Sequence, residues 1–247
     1  MFKKLTYNLC LLRNKLISRD DFAWNRYHKN YYNQIKESEK HHTLKLSNDF
    51  EIMDGKLEFF CDPSLNKNHE LLYQVVYDLN PKSIFEVGCG NGDHMINLKK
   101  IMPKVNIEGC DLLPMQLNFL DERNPVLASK TFVKDITKSS LNSQYELLYT
   151  QAVIMHIQKG DRHLDALRNM FKSSSEYIIL MENWSRHNFY EDIKNISNEL
   201  LFPWDNLYIY KVDNGKQVIM VLSQNPIVSK KLNYIKLKSN EDMLKYL

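Results

Sequence analysis

Residues 83–93 read Ser-Ile-Phe-Glu-Val-Gly-Cys-Gly-Asn-Gly-Asp, and this stretch decides the fold. A short, β-prone apolar run is followed by glycines at positions 88, 90 and 92. Apolar residues then recur at helical spacing as far as residue 102, which predicts a strand, a tight turn and a helix. Glycine suits such a turn because it adopts positive φ and lets a ligand approach bare backbone, and the first amides of the next helix face that ligand.

A second strand ends in an acid shortly afterwards. Residues 107–111 read Ile-Glu-Gly-Cys-Asp, so that Asp111 stands 21 residues after Gly90. In Rossmann-type domains, an acid about 20 residues after the glycine turn binds ribose hydroxyls. The glycine spacing departs from the G-x-G-x-x-G of dinucleotide-binding proteins, which disfavours a nicotinamide-dependent oxidoreductase.

The pattern Glu-x-Gly-x-Gly-x-Gly with a later acid resembles the first motif of class I S-adenosylmethionine-dependent methyltransferases, of the small-molecule type. The resemblance extends over residues 68–223. It implies S-adenosylmethionine as cofactor and S-adenosylhomocysteine as product. The residues implied to bind the cofactor are Glu86, Gly88, Gly90, Asp111, Leu112, Asp135, Ile136 and Gln151.

The resemblance also gives these residues their roles. Gly88 and Gly90 would pass under the methionine part of the cofactor, and Glu86 would order its amino-acid end. Asp111 would hold the ribose and Leu112 would pack on adenine. The pair at 135–136 would bind the adenine amino group, with a surface Asp that caps a turn as the competing interpretation. The segment that begins at residue 151 would run beside the methyl group.

The remaining patterns predict alternating strands and helices of an α/β fold, and the resemblance implies a doubly wound, mostly parallel sheet of seven strands whose last strand is antiparallel. Strands are expected at 83–87, 107–111, 130–133, 145–150, 177–181, 207–212 and 216–222. Asp-Gly between two alternating runs predicts a hairpin over residues 49–60. We expect a helical and hairpin cap at 1–67, a methyltransferase core at 68–223 and an unassigned extension at 224–247.

The cap contains two further features. Residues 1–20 have the spacing of a basic amphipathic helix, which is typical of a lid helix, a homodimer helix or a helix on a membrane surface. No apolar run is long enough for a stable membrane insertion or a signal peptide. Residues 22–32 are dense in aromatic side chains, and Trp24, Tyr27 and Tyr31 are predicted to cover and bind the substrate, with core packing as the alternative.

Several side chains after the fourth and fifth strands are candidates for catalysis. His156 stands nearest the expected methyl group, and His187 and Glu182 follow the fifth strand. A histidine can accept the proton of a hydroxyl acceptor near neutral pH. If the acceptor is already an anion, Arg186 is predicted to bind it. Packing or helix capping is the alternative role for His156.

The composition narrows the class of protein. The 247 residues are 43% hydrophobic and 26% charged, with a net charge of +3, which is too small to indicate a nucleic-acid partner. The four cysteines show no C-x-x-C spacing, and no acid cluster of metal-dependent enzymes is visible, so no metal is predicted. Two of these cysteines lie in the cofactor motifs, where a reduced, cytoplasmic compartment is expected.

The acceptor is predicted only by class. We expect methyl transfer to an oxygen of a small molecule. The chain also resembles methyltransferases of bacterial surface-polysaccharide (capsule) modification, which implies a phosphate- or sugar-containing intermediate. An N-methyltransferase of another metabolite and a non-catalytic, methyltransferase-like partner subunit are the alternatives. The non-catalytic alternative predicts decay of the glycine turn or loss of Asp111, and both are intact.

Overall fold

The computed structural model describes residues 49–60, 67–229 and 231–244. The predicted N-terminal helix and the aromatic segment lie outside these ranges. The strands are β1 (Phe50–Met53), β2 (Lys56–Phe59), β3 (Ser83–Val87), β4 (Asn106–Asp111), β5 (Thr131–Val133), β6 (Tyr145–Gln151), β7 (Ser174–Met181), β8 (Tyr208–Asp213), β9 (Val218–Ser223) and β10 (Ile235–Lys236). The helices are α1 (Lys67–Leu79), α2 (Asp93–Ile101), α3 (Pro114–Arg123), α4 (Pro125–Ala128), α5 (Arg162–Ser173) and α6 (Phe189–Ser197), with 3-10 turns at Ile154–His156 and Asn240–Asp242.

Eight of the described strands form one sheet in the order β10-β8-β9-β7-β6-β3-β4-β5. The strands from β3 to β7 are parallel to one another, and β9 is antiparallel to both β7 and β8. The predicted doubly wound sheet with an antiparallel last strand is confirmed. One correction is needed, because β10 adds an eighth strand at the edge beside β8. Its two residues are both exposed, so no buried face marks it in the sequence.

The winding of the sheet reverses at β3. From this strand the chain adds β4 and β5 on one side, and then crosses over to place β6 and β7 on the other. In open α/β sheets, ligands bind at the carboxyl ends of the strands where the winding reverses. The glycine turn follows β3 at this point, so the fold places it where a ligand site is expected.

The strand β3 is buried on both faces, and its side chains alternate between two hydrophobic clusters. Ile84 packs with residues of α1 and α2 such as Val75 and Met95. Phe85 packs on the other face with residues of α5 such as Phe171. Alternation puts Glu86 on the face of Ile84, and at 1% exposure it is an ionisable exception in an apolar strand.

The segments that precede and follow the core in the sequence both pack along α1. In the predicted β1–β2 hairpin, Asp54 and Gly55 have φ of 49° and 73°, the pair of positive angles that a type I′ turn requires. Leu57 is buried in the cluster that includes α1. In the C-terminal extension, the Tyr234 hydroxyl donates to Asp78 Oδ2 at 2.9 Å. Both segments therefore cover the same helix of the core.

Candidate functional site

A cavity of about 600 Å³ opens at the carboxyl ends of β3, β4, β5 and β6. It lies at the point where the winding of the sheet reverses. The residues on its wall that the sequence predicted are Gly88, Gly90, Asp111, Leu112, Asp135, Ile136, Gln151 and His156. These residues come from four different strand ends, and the fold brings them to a single cavity.

The glycines of the turn are needed for different reasons. Gly88 and Gly90 have φ of 76° and 53°, which disfavours any residue with a side chain. A Cβ at Gly88 would overlap a methyl group of Val153, so this glycine is needed for packing. A Cβ at Gly90 would meet nothing nearer than Gln116 Oε1 at 3.9 Å, so it would enter the cavity instead.

Asp111 is tied to the glycine turn. Its Oδ2 accepts the Gly90 amide at 2.9 Å, and its Oδ1 accepts the Leu113 amide at 2.8 Å. Burial raises the pKa of Asp111, whereas the amides of Leu113, Gly90 and Leu112 act in the opposite direction. A carboxylate has about four acceptor positions, so these backbone bonds leave capacity for a hydroxyl of a ligand.

Asp135 is held by residues that the sequence analysis did not identify. Its Oδ1 accepts the Thr137 amide at 3.0 Å and the Thr137 hydroxyl at 2.6 Å, and its Oδ2 accepts Arg162 Nη2 at 3.2 Å. Burial alone would raise the pKa of Asp135, but Thr137, Arg162 and Lys138 together bring it below its usual value. Asp135 is therefore an ionised group on the cavity wall whose acceptor positions are largely used by the protein itself.

The segment after β6 forms another part of the wall. Gln151, Ala152, Val153 and His156 all line the cavity. Ala152 has φ of 54°, a left-handed conformation that costs a residue with a Cβ roughly 1–2 kcal/mol. The His156 ring is half-buried, and its backbone amide donates to the Val153 carbonyl at 3.0 Å in the 3-10 turn.

The other two catalytic candidates lie behind this wall. His187 is buried, its Nε2 donates to the Ile154 carbonyl at 3.1 Å, and its ring stacks on His163 at 4.0 Å. The Glu182 carboxylate also binds the backbone of the turn Ile154–His156. Arg186 is half-buried and is not among the residues that line the cavity. The structure therefore brings His156 to the cavity and places Glu182 and His187 beneath the loop that carries it.

Glu86 is also set back from the cavity wall. Within the described residues, its Oε2 has no hydrogen-bond partner. Burial raises the pKa of Glu86 well above its usual value, the nearby Tyr149 hydroxyl opposes this, and the charges of Asp93 and Asp111 add to it. One oxygen of this buried carboxyl group is therefore left without a hydrogen-bond partner among the described residues.

The remaining predicted residues are not placed. Trp24, Tyr27 and Tyr31 lie outside the described residues, and their role as substrate-binding residues stays a prediction. In the part of the chain that the structure describes, no group of three or more His, Cys, Asp or Glu side chains is arranged to hold a metal ion. Among the described helices, none is long and apolar enough to cross a membrane.

The cavity wall also contains polar residues that the sequence analysis missed. They are Asn91, Gln116, Lys134, Thr137 and Arg162. Arg162 opens α5 and meets Asp135 from 27 residues away in the chain. No local pattern marks such a residue, because its partner belongs to a different crossover connection.

No family model matches the chain, but it is similar to a curated protein and to several solved structures. A tRNA N(3)-methylcytidine methyltransferase, trm141 of Schizosaccharomyces pombe, is 35% identical over 66 residues, which are 26% of this chain and 27% of that protein. The plantazolicin methyltransferase BpumL, solved with a monoazolic desmethylPZN analog and SAH, superposes with a TM-score of 0.52 at 13% identity, over 92% of this chain and 100% of that chain. An O-methyltransferase from a trans-AT PKS multienzyme of Brevibacillus brevis, solved with S-adenosyl-L-homocysteine, gives a TM-score of 0.37 at 20% identity, over 41% and 35% of the two chains.

These similarities differ in what they establish. The curated relative is matched over only 27% of its length, and the overlap with the Brevibacillus enzyme is too small to carry an argument. The superposition on the plantazolicin methyltransferase covers nearly the whole chain and concerns the fold. This chain has the fold of the class I S-adenosylmethionine-dependent methyltransferases.

Proposed function

We propose that this chain is an S-adenosylmethionine-dependent methyltransferase that transfers a methyl group to an oxygen of a small molecule. The observation that carries the proposal is the 2.9 Å hydrogen bond from the Gly90 amide to the Asp111 carboxylate. It joins the glycine turn to the acid at the reversal of the sheet winding, where folds of this kind bind nucleotides.

The residues on the cavity wall fit this cofactor. The open space beside Gly90 admits a ligand against the backbone, and Asp111 retains acceptor capacity for ribose hydroxyls. Leu112, which is 41% exposed, and Ile136 offer apolar surface to a purine. The volume of about 600 Å³ lies within the range of roughly 300–1,000 Å³ that is typical of small-molecule sites. When bound, S-adenosylmethionine supplies a methyl group activated by its sulfonium.

His156 is the residue that we propose as the general base. It lies on the cavity wall, whereas Glu182 and His187 lie behind it. An imidazole can take up the proton of a hydroxyl acceptor near neutral pH. The remainder of the protein's task is to set the geometry of the two reactants and to exclude water from them.

An acceptor that is already anionic would need no base. Cations on the wall would then bind it. Arg186 is the cation that the sequence suggested for this role, but the wall contains Lys134 and Arg162. These two residues are the ones to test if His156 proves dispensable.

Finer assignments rest on the sequence alone. The phosphate- or sugar-containing intermediate of capsule modification is one of them, as are the homodimer, the cytoplasmic location and the absence of a nucleic-acid partner. We do not propose a tRNA substrate for this chain, because the match to trm141 covers only 26% of it and its net charge is only +3. N-methylation of another metabolite is the alternative chemistry for the same cavity.

Calorimetry with S-adenosylhomocysteine, S-adenosylmethionine and NAD tests the cofactor. We expect both S-adenosyl compounds to bind and NAD to give no signal. Tight binding of NAD without a response to S-adenosylhomocysteine would exclude the proposal. Screening hydroxyl, phosphate and amine acceptors for S-adenosylhomocysteine formation then separates O- from N-methylation.

A further inference from the structure

A single carboxylate holds the segment after β6 from below. Glu182, directly after β7, accepts a hydrogen bond from the Thr150 hydroxyl. It also accepts three consecutive backbone amides, those of Val153, Ile154 and Met155, at 3.2, 3.2 and 3.0 Å. Four donors thus converge on one side chain that is only 8% exposed. Hydrogen bonds to a carboxylate are roughly twice as strong as neutral ones, so this group is the main anchor of the turn.

The segment that it anchors does not adopt its shape without support. Ala152 has φ of 54°, which residues with a Cβ rarely adopt. Such strained residues persist only where the surrounding structure holds them. The Ala152 amide donates to the Met181 carbonyl at 3.0 Å, and Glu182 follows Met181 directly, so the end of β7 fixes both sides of the strained residue.

The anchored segment is coupled to the glycine turn. Val153 lies so close to Gly88 that any Cβ on this glycine would overlap it. Both residues line the cavity, as does His156 at the end of the turn. A displacement of this segment would therefore change the cavity wall both at the glycine turn and at His156.

We propose that Glu182 is a positioning residue that fixes the segment 152–157 as a wall of the cavity. It thereby sets both the affinity for S-adenosyl ligands and the place of His156. This inference rests on the proposed function. It gives Glu182 a role that touches neither substrate nor cofactor, in contrast to the catalytic role that the sequence suggested. Burial raises the pKa of this carboxyl. The Thr150 hydroxyl and the three amides oppose that effect, because they donate to its ionised form.

The test uses the full chain and the variant Glu182→Gln. The amide nitrogen of glutamine is a donor, so at least one of the four donors must lose its partner. Glu176→Gln is the matched control, because Glu176 lies near the start of β7, at the opposite end of the strand from Glu182, and its Oε1 accepts Asn225 Nδ2 at 3.0 Å. The readouts are hydrogen exchange of individual amides without ligand and calorimetric affinity for S-adenosylhomocysteine.

In Glu182→Gln we expect exchange at Val153–His156 to quicken about tenfold and S-adenosylhomocysteine to bind about tenfold more weakly, the factor for one lost charge-assisted hydrogen bond. Amides of β3 and β6 should exchange as in the wild type, which a general packing role would not allow. Weaker binding with unchanged exchange in the segment would overturn the inference, since Glu182 would then act by contact. Unchanged exchange in the segment together with unchanged affinity for S-adenosylhomocysteine would overturn the inference as well.

Two further measurements keep the test decisive. If Glu182→Gln does not fold, Thr150→Val removes one donor from the same carboxylate and should give smaller changes in the same direction; no change there contradicts the inference. If the wild type does not bind S-adenosylhomocysteine, the proposed function fails. The exchange measurement then still decides whether Glu182 holds the segment.

Discussion

The two regions that form most of the cavity wall are built in opposite ways. The glycine turn after β3 is made from neighbours in the chain, and it bonds to Cys110 and Asp111 at the end of the adjacent strand. The segment after β6 takes its shape from Glu182, 27 to 29 residues away. The first region has a recognisable sequence pattern and the second has none. The comparison teaches that a site can have one wall that is encoded locally and one that depends on distant packing.

The largest expected effect tests what the second region does. If His156 removes the proton of a hydroxyl acceptor, His156→Gln should slow turnover roughly 100- to 10,000-fold. Turnover is measured as S-adenosylhomocysteine formation with an acceptor that the wild type methylates. Affinity for S-adenosylhomocysteine should stay nearly unchanged. A parallel fall in affinity would make His156 a binding residue, and unchanged turnover would direct attention to an anionic acceptor.

The next prediction separates the packing role of Gly88 from the ligand-binding role of Gly90. Gly88→Ala and Gly90→Ala share the strain of positive φ, about 1–2 kcal/mol. Gly88→Ala adds overlap with Val153, which should cost about 1–3 kcal/mol more in the free energy of unfolding by urea. Gly90→Ala should unfold nearer to the wild type and yet lose S-adenosylhomocysteine binding. Equal destabilisation by the two variants would show that the Val153 contact relaxes freely.

Asp111 links the turn to the ligand, and its loss should have an intermediate effect. Asp111→Ala should weaken S-adenosylhomocysteine binding by about 1.5–3 kcal/mol, the range for lost hydrogen bonds to a charged group. Asp111→Asn is the matched control of similar shape. Calorimetry gives both values. If folded Asp111→Ala protein binds normally, the ribose is held elsewhere.

The smallest expected effect compares two buried glutamates. Glu182 has four donors, whereas Glu86 Oε2 has no hydrogen-bond partner among the described residues. Because burial raises the pKa of Glu86, its carboxyl favours the folded state below its usual pKa of 4.5 and loses that contribution as the pH rises through the raised value. Glu86→Gln should therefore be more stable than the wild type by about 1 kcal/mol at pH 7, a gain that disappears toward pH 4.5.

Urea unfolding of the two proteins across that pH range measures the difference. The same variant should bind S-adenosylmethionine more weakly if Glu86 orders the amino-acid end of the cofactor. A variant that is less stable at pH 7 would mean that the ionised carboxylate has favourable partners in the folded protein.

The local patterns of the sequence predicted most of the fold. The Asp54-Gly55 hairpin and the positions of the main strands were predicted from spacing and turn residues, and the resemblance implied the doubly wound sheet with an antiparallel β9. Hairpins and strand positions can be predicted from a sequence because backbone angles and the alternation of buried and exposed residues depend on neighbouring residues. The two-residue strand β10 was missed, because a strand exposed on both faces shows no alternation of apolar and polar residues.

The sequence by itself determined the positive-φ turn at Gly88 and Gly90, the acid that meets it, and the sheet edge at which both lie. Only the tertiary structure decided that Arg162 holds Asp135 and that Glu182 lies under the wall instead of on it. The physical reason is the range of the interactions. A turn depends on the φ of its own residues, whereas these hydrogen bonds form only after separate crossover connections have brought distant loops to the same edge of the sheet.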